Sequence, residues 1–378
     1  MTNAAPPRPV SARARTPRGV LLLPAGLAML AGLDAALLLL GVPAPVTTDR
    51  LPDVHGMLMA LGFVGTLVCL ERSVALGRSL GYLAPALLGV GALLLLAPVP
   101  LAVGRTGLLL GMLAMTLLYV PLWRRQRDDA VLVQALGAVL GAGAAAMWLG
   151  GTQTALLIPW LTGFLVLTIA GERLELARLA MGPKAGPTLV LLTVAVMAST
   201  VGSLLWPEVG YPLLGLALAA LTGWLVAHDV AWRTVRRPGL TRFMAASMLA
   251  GYFWLLVAAS TWLLHGSALS GAPYDVVIHA TFLGFTISMI MAHAPVILPA
   301  VLRRPLPYRT VLWGPLVLLH ASLALRLWLG DALEVHLAWQ IGGAANVLAL
   351  LSFFALAAWS VVTGARRPST VPVKEKAA

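Results

Sequence analysis

The chain has 378 residues, of which 60% are apolar and 11% charged, and its mean hydropathy is +0.90. Soluble domains carry about 25% charged residues, so this composition excludes a soluble enzyme, a disordered protein and a secreted disulfide scaffold. The single cysteine, Cys69, excludes an intrachain disulfide. The formal charge of +12 would suggest nucleic acid in a soluble protein. Here basic residues at the cytoplasmic ends of membrane helices explain it, and no nucleic-acid partner is expected.

Apolar runs long enough to cross a bilayer, which takes about 20 helical residues, follow one another along the chain. They lie near 20–42, 55–76, 79–99, 106–123, 130–150, 155–176, 187–206, 209–229, 243–264, 276–301, 310–329 and 336–363. The sequence therefore predicts an all-α polytopic membrane protein with twelve transmembrane helices, surrounded by membrane lipid. Its membrane domain covers 19–363, and the flanking segments 1–18 and 364–378 are predicted to be disordered cytoplasmic tails.

The distribution of positive charge supports this count. With the N-terminal tail in the cytoplasm and the sides alternating, all but three of the 26 Lys and Arg residues fall on the cytoplasmic side. The exceptions are Arg50, Arg105 and Arg326. A missed or extra span would destroy the asymmetry, so we expect both termini in the cytoplasm and the protein in a bacterial-type inner membrane.

The second, sixth and tenth spans share a pattern in which Gly-Phe is followed, nine residues after the glycine, by a polar residue. The matching pairs are Gly62 and Glu71, Gly163 and Glu172, and Gly284 and His293. Each match comes four spans after the previous one, which predicts three pseudo-repeated four-helix units. A chance recurrence of the common Gly-Phe pair is the alternative. Glycine at these positions would let neighbouring helices approach closely.

Histidines are the main candidate functional residues, because a polar group inside a bilayer is costly. Four of the seven are predicted at the outer ends of spans, namely His55, His265, His279 and His336. His55 and His279 head spans that share the Gly-Phe pattern, and neutral imidazole is a good axial ligand of haem iron. We therefore predict that these two hold a haem between them. Its propionates would face the outer surface, where the three exceptional arginines lie.

Other groups leave alternatives open. His265 is interpreted as an interface anchor and His228 as a solvated residue, whereas His336 is either an anchor or a metal ligand. The deeper His293 and His320 could each be a second metal ligand, a proton-relay group or a hydrogen-bonded packing residue. Next to His55, the two methionines Met57 and Met59 suit copper as well as haem, although methionine also fills gaps in helix cores. Copper is therefore a possible second cofactor.

Charged residues inside the spans also need partners. Asp34, in the first span, is expected to accept a hydrogen bond from a histidine ring, a backbone group or a neighbouring helix. The pairs Glu71-Arg72 and Glu172-Arg173 lie at the cytoplasmic ends of their spans. They are interpreted as structural ion pairs; a gate, a proton entry point or a contact with anionic lipid is the alternative.

Twelve spans in three groups of four, with outer histidines on the second and tenth, resemble the catalytic subunit of haem-copper oxidases. The stretch His55-Gly56-Met57-Leu58-Met59 resembles that family's second-span motif, His-Gly-x-x-Met. In that family histidines of spans two and ten hold a low-spin haem, which the resemblance places on His55 and His279. A closer likeness is to the NnrS family of haem- and copper-containing membrane proteins linked to nitric oxide and denitrification. The stretch from His279 through Gly284-Phe285 to His293-Ala294-Pro295 is similar to the late histidine-rich span of that family.

The chain departs from these families where they bind copper. Its sixth and seventh spans contain no histidine, so the usual three-histidine copper centre is not expected. The resemblance then implies a membrane haem protein, with b-type haem, involved in nitric oxide binding or tolerance or in denitrification-linked redox chemistry. An oxidoreductase activity on nitric oxide or a related small molecule would take electrons from a quinol or a separate carrier. The alternatives are a polytopic transporter and a metalloenzyme assembly factor, neither of which would bind haem.

Overall fold

The structure is a computed structural model that describes residues 18–364. Within this range twelve helices are long and apolar enough to cross a membrane, which confirms the predicted all-helical, twelve-span protein. They are α1 (Gly19–Leu39), α2 (Arg50–Leu76), α3 (Ser79–Leu96), α4 (Leu101–Gln126), α5 (Asp129–Leu149), α6 (Thr154–Met181), α7 (Ala185–Leu205), α8 (Pro207–His228), α9 (Leu240–His265), α10 (Gly271–Leu302), α11 (Thr310–Ala332) and α12 (His336–Gly364). Apart from Arg18 and Gly364, the two predicted tails lie outside the described residues.

The helices follow one another around a closed bundle. Each packs against the next in the chain, α12 returns to α1, and both α2 and α6 contact α10 in the interior. The most buried spans are α2, α6 and α10, with 67%, 78% and 61% of their apolar windows buried. The three helices that carry the Gly-Phe pattern therefore lie at the centre of the bundle. Equivalence of the three four-helix units stays a prediction.

The glycines of the Gly-Phe pattern lie at close helix contacts. A Cβ atom built on them, in chain order, would lie 2.8 Å from Ala92, 2.5 Å from Leu140 and 2.4 Å from Trp254. The expected close approach of helices at these glycines is confirmed. The contacts are not equivalent, because α2 packs on the following helix, α3, whereas α6 and α10 pack on the preceding helices, α5 and α9.

Two of the central helices change from α- to π-helical hydrogen bonding near a histidine. The π-helical segments are Leu58–Gly65 in α2 and Ala280–Ile287 in α10. His55 lies three residues before the first segment, and His279 immediately precedes the second. Single wider turns of this kind are frequent at functional sites in proteins. The π segments therefore indicate a functional site at the end of the bundle that carries these histidines. We call this end the His55 end and the opposite end the Glu71 end.

Candidate cofactor site

A cavity of about 290 Å³ lies at the His55 end, enclosed by α1, α2, α6, α10, α11 and α12. His55 and His279 both line it, on two central helices. The structure therefore brings together the two imidazoles that the sequence analysis paired. Most of the remaining wall is apolar and includes Leu33, Ile158, Leu161, Phe282, Leu283 and Val347. We call this space the His55 cavity.

Each of the two imidazoles is oriented by a backbone carbonyl. Nδ1 of His55 donates to the carbonyl oxygen of Gly32 in α1 at 2.8 Å, and Nδ1 of His279 donates to that of Asp275 at 3.0 Å. A carbonyl can only accept, so Nδ1 carries the proton and the lone pair of a neutral ring lies on Nε2. No residue in 18–364 forms a hydrogen bond with either Nε2. Two free Nε2 atoms on one cavity are the donor set that axial ligation of a haem iron requires.

The Nδ1 side of the His279 imidazole contacts Asp275, which is in turn bound by Arg326. Oδ1 of Asp275 lies 3.1 Å from Nδ1 of His279, and Arg326 donates to both carboxylate oxygens at 2.7 and 2.8 Å. Trp339 Nε1 lies 3.4 Å from Oδ2. Sequence reasoning missed Asp275, although its position four residues before His279, one helical turn away, was a usable signal. Metal-binding histidines commonly have such a carboxylate partner.

Of the three arginines predicted on this side, only Arg326 lines the His55 cavity. Arg50 donates from Nε and Nη2 to the carbonyls of Leu95 and Val99 at 2.7 Å each. Arg105 donates to the carbonyl of Trp148 at 3.2 Å and lies 4.6 Å from the centre of its ring. Both side chains therefore satisfy backbone carbonyls at or just beyond helix C-termini.

Three further histidines that were metal-ligand candidates do not line this cavity. Nε2 of His293 accepts from Arg173 at 3.1 Å, while its Nδ1 donates to the Met289 carbonyl at 2.7 Å. Nδ1 of His320 accepts from Trp254 Nε1 at 2.9 Å. His336 is exposed. The hydrogen-bonded packing role is the one that the geometry supports for His293 and His320.

The described part of the chain contains no group of three or more His, Cys, Asp or Glu side chains arranged to hold a metal ion. The two methionines near His55 are packing residues, and only Met59 of the two lines the His55 cavity. Met57 is fully buried, and Met59 lines the cavity and packs against Gly32. His55 and His279 are therefore the residues of the His55 cavity that could hold a cofactor.

Of the remaining polar candidates, Asp34 and His228 have hydrogen-bond partners and His265 is exposed. Oδ1 of Asp34 accepts from the backbone N–H of Val46 at 3.3 Å, which is the backbone alternative of the sequence analysis. His228 is exposed, is bonded to the Trp224 carbonyl at 2.8 Å and is stacked on its ring. His265 is the exposed last residue of α9.

Arg72 and Arg173, at the Glu71 end, belong to two separate networks. Arg72 pairs with Glu71 and, at 3.0 Å, with Glu175. Arg173 binds Asp229 through two hydrogen bonds of 2.8 and 3.0 Å. Both arginines are buried, and the structural interpretation is supported for Glu71-Arg72. For Glu172-Arg173 the predicted pair is wrong, because Arg173 binds Asp229 of the distant chain segment after α8 instead of its sequence neighbour Glu172.

Comparison with known proteins shows the family. The chain belongs to the family described as Domain of unknown function (DUF8744), which matches residues 18–362. No curated protein and no solved structure matches the chain. The matched range spans all twelve helices almost completely.

Proposed function

We propose that this chain is a membrane-embedded haem protein in which His55 and His279 are the axial ligands of one b-type haem in the His55 cavity. One observation carries the proposal. Two imidazoles from different central helices line one cavity, each with Nδ1 bonded to a backbone carbonyl and Nε2 without a partner among the described residues. When bound, the haem would supply the one-electron chemistry of iron, while the protein would position and tune it.

The charges and walls of the cavity are compatible with such a group. Nε and Nη2 of Arg326 are engaged with Asp275, and Nη1 forms no hydrogen bond within residues 18–364, so it is available to a haem carboxylate. Gly56 and Gly343 line the cavity without side chains. A Cβ on Gly343 would lie 3.0 Å from that Nη1, so glycine leaves the guanidinium unobstructed. Asp53 also lines the cavity and would repel a haem carboxylate placed beside it. The carboxylate would therefore lie on the side of Arg326.

The chemistry assigned to the haem rests on two further arguments. His55 and His279 would together hold the haem, which would then supply one-electron chemistry with both histidines in place. The resemblance to the NnrS family links the site to nitric oxide and denitrification. The positive-inside distribution of Lys and Arg favours an orientation with the His55 end at the outer face of a bacterial-type inner membrane. Copper has no comparable support, since ring nitrogens of His293 and His320 are engaged by Arg173 and Trp254.

An absorption spectrum of the full chain, purified from haem-replete cells in mild detergent, tests the proposal. We expect a Soret band and, after reduction, the sharp paired visible bands of a six-coordinate haem. His55→Ala and His279→Ala should each lose this spectrum, whereas His336→Ala, at an exposed histidine of the same end, should keep it. If His55→Ala fails to fold, His55→Met provides a second test. It offers a thioether in place of the imidazole and should shift the absorption bands.

Two results would overturn the proposal. Colourless, monodisperse protein from haem-replete cells would favour the transporter or assembly-factor alternative. Unchanged spectra in both alanine variants would show that haem, although bound, is held by other residues.

A further inference from the structure

A second cavity, of about 440 Å³, lies at the Glu71 end between α1, α2, α6, α10 and α12. Its wall is largely aliphatic, and its polar side chains are Glu71, Glu172, Thr286 and His293. Val64 lines both this space and the His55 cavity, so the two are neighbours along the bundle axis. Val362, which also lines it, is 51% exposed, so the cavity opens beside α12 toward the surrounding lipid. We call it the Glu71 cavity.

The three central helices each contribute the residue that lies nine positions after the pattern glycine. These residues are Glu71, Glu172 and His293. Both ring nitrogens of His293 are engaged, and Glu71 pairs with Arg72. The carboxylate of Glu172 has no hydrogen-bond partner in the described part of the chain. Oxygens of Glu172 and the remaining oxygen of Glu71 are therefore free to accept hydrogen bonds inside an apolar cavity, where unmet polar groups are costly.

The charged residues of the lining disfavour lipophilic ligands with an anionic headgroup. None of the described residues that line the cavity is Lys or Arg. A phosphate headgroup or a haem propionate would therefore meet two carboxylates in the lining and would be repelled. The nearest cations, Arg72 and Arg173, lie behind the wall and are already engaged by carboxylates. A neutral ring with two hydroxyl donors would satisfy the carboxylates, and an apolar chain would suit the aliphatic walls and the opening beside α12. The volume lies in the usual range for small-molecule sites.

We propose that the Glu71 cavity binds an isoprenoid quinol, whose two ring hydroxyls donate to Glu172 and Glu71 and whose chain leaves beside α12. Binding there requires no haem in the His55 cavity, so the two proposals can fail separately.

Equilibrium binding to the full chain in phosphatidylcholine nanodiscs tests this site. The probe is a radiolabelled ubiquinol with two isoprene units. We expect saturable binding of one molecule per chain. Because a hydrogen bond to a charged group contributes about 1.5–3 kcal/mol, Glu172→Gln should weaken binding by about tenfold or more. Glu208→Gln, at an exposed glutamate of α8 that lines neither cavity, should leave the affinity unchanged.

A blocking variant keeps the test decisive if Glu172→Gln is unstable. Ala358 is exposed on α12 and lines the cavity, so Ala358→Phe should reduce binding by filling the opening while the thermal unfolding midpoint stays the same. Three results would overturn the proposal: absence of saturable binding, an affinity in Glu172→Gln and Ala358→Phe equal to that of the parent, or displacement of the quinol by phospholipid alone. A normal Soret band in a chain that binds no quinol would leave the haem proposal intact, and the reverse result would leave the quinol site intact.

Discussion

Arg326 of α11 and Asp275 of α10 form a two-point ion pair, with hydrogen bonds of 2.7 and 2.8 Å, one helical turn before His279. Oδ1 of the same carboxylate lies 3.1 Å from Nδ1 of that histidine. The pair therefore links α11 to the ring that faces the His55 cavity. It both fixes the orientation of the imidazole and places a negative charge behind it, which raises the basicity of Nε2 as a ligand.

Asp275→Asn should weaken the proposed haem site without removing either ligand. Loss of a carboxylate behind a metal-bound histidine typically costs about 10–100-fold in affinity, so we expect faster loss of haem to an apo-globin acceptor and a higher reduction potential. Asp53→Asn removes a carboxylate that lines the same cavity and forms no hydrogen bond to His279, so its haem-transfer rate should stay near that of the parent protein. Equal rates in the Asp275→Asn protein and the parent would assign Asp275 a purely structural role.

The twelve spans could be predicted because the length of an apolar run and the placement of Lys and Arg are local properties of the sequence. Pairing of His55 with His279 could be predicted for a related reason. Both are predicted near the starts of spans that enter from the same side, and they precede the pattern glycine by seven and five residues. Each inference uses position along a helix, which a one-dimensional sequence preserves.

The partners of the remaining polar groups could not be predicted, because they come from distant parts of the chain. Arg173 and His293 are 120 residues apart, and Trp254 and His320 are 66 apart. Arg50 binds carbonyl oxygens, which every residue possesses, so no sequence signal marked its acceptors. For this reason the sequence left His293 and His320 open between ligand and packing roles. It also predicted three arginines near the proposed haem, whereas only Arg326 of the three lines the His55 cavity.

His320→Ala should separate stability from haem binding. The substitution leaves the indole N–H of Trp254 without its acceptor, which costs about 1–3 kcal/mol in a buried site, so the thermal unfolding midpoint should fall. Haem content, measured as pyridine haemochrome per chain, should remain that of the parent. His320→Gln restores an acceptor and should recover part of the lost stability. Loss of haem or copper in both variants would make His320 a metal ligand after all.

The ion pair between Arg173 and Asp229 predicts a large stability effect far from the His55 cavity. Both residues are buried, and Tyr252 also donates to Asp229 at 2.7 Å. Asp229→Ala would leave an uncompensated buried guanidinium, which costs about 3–5 kcal/mol, and should strongly lower the unfolding midpoint in detergent.

Arg178→Ala provides the matched control for that variant, because it removes a half-exposed arginine from an ion pair with Asp128. Exposed pairs contribute about 0–1 kcal/mol, so its midpoint should hardly change. Similar losses in the Asp229→Ala and Arg178→Ala proteins would contradict the assignment of the first pair as a buried structural network.

Gly284 tests the close contact between the central helix α10 and its neighbour α9. A Cβ at this position would lie 2.4 Å from Cβ and from Cγ of Trp254, well inside contact distance. Trp254 cannot easily yield, because its Nε1 donates to His320 at 2.9 Å and its ring stacks on Trp328. Gly284→Ala should therefore destabilise the protein by about 1–3 kcal/mol, the usual cost of overpacking.

Gly314 offers the opposite case within a neighbouring helix, α11. A Cβ there meets nothing within 4 Å, and alanine is a better helix former than glycine by about 1 kcal/mol. Gly314→Ala should therefore leave the thermal unfolding midpoint unchanged or raise it, while Gly284→Ala lowers it. If both substitutions shift the midpoint in the same direction, general helix propensity rather than the contact of Gly284 with Trp254 determines stability at these positions. Gly284 would then not be required for the packing of α10.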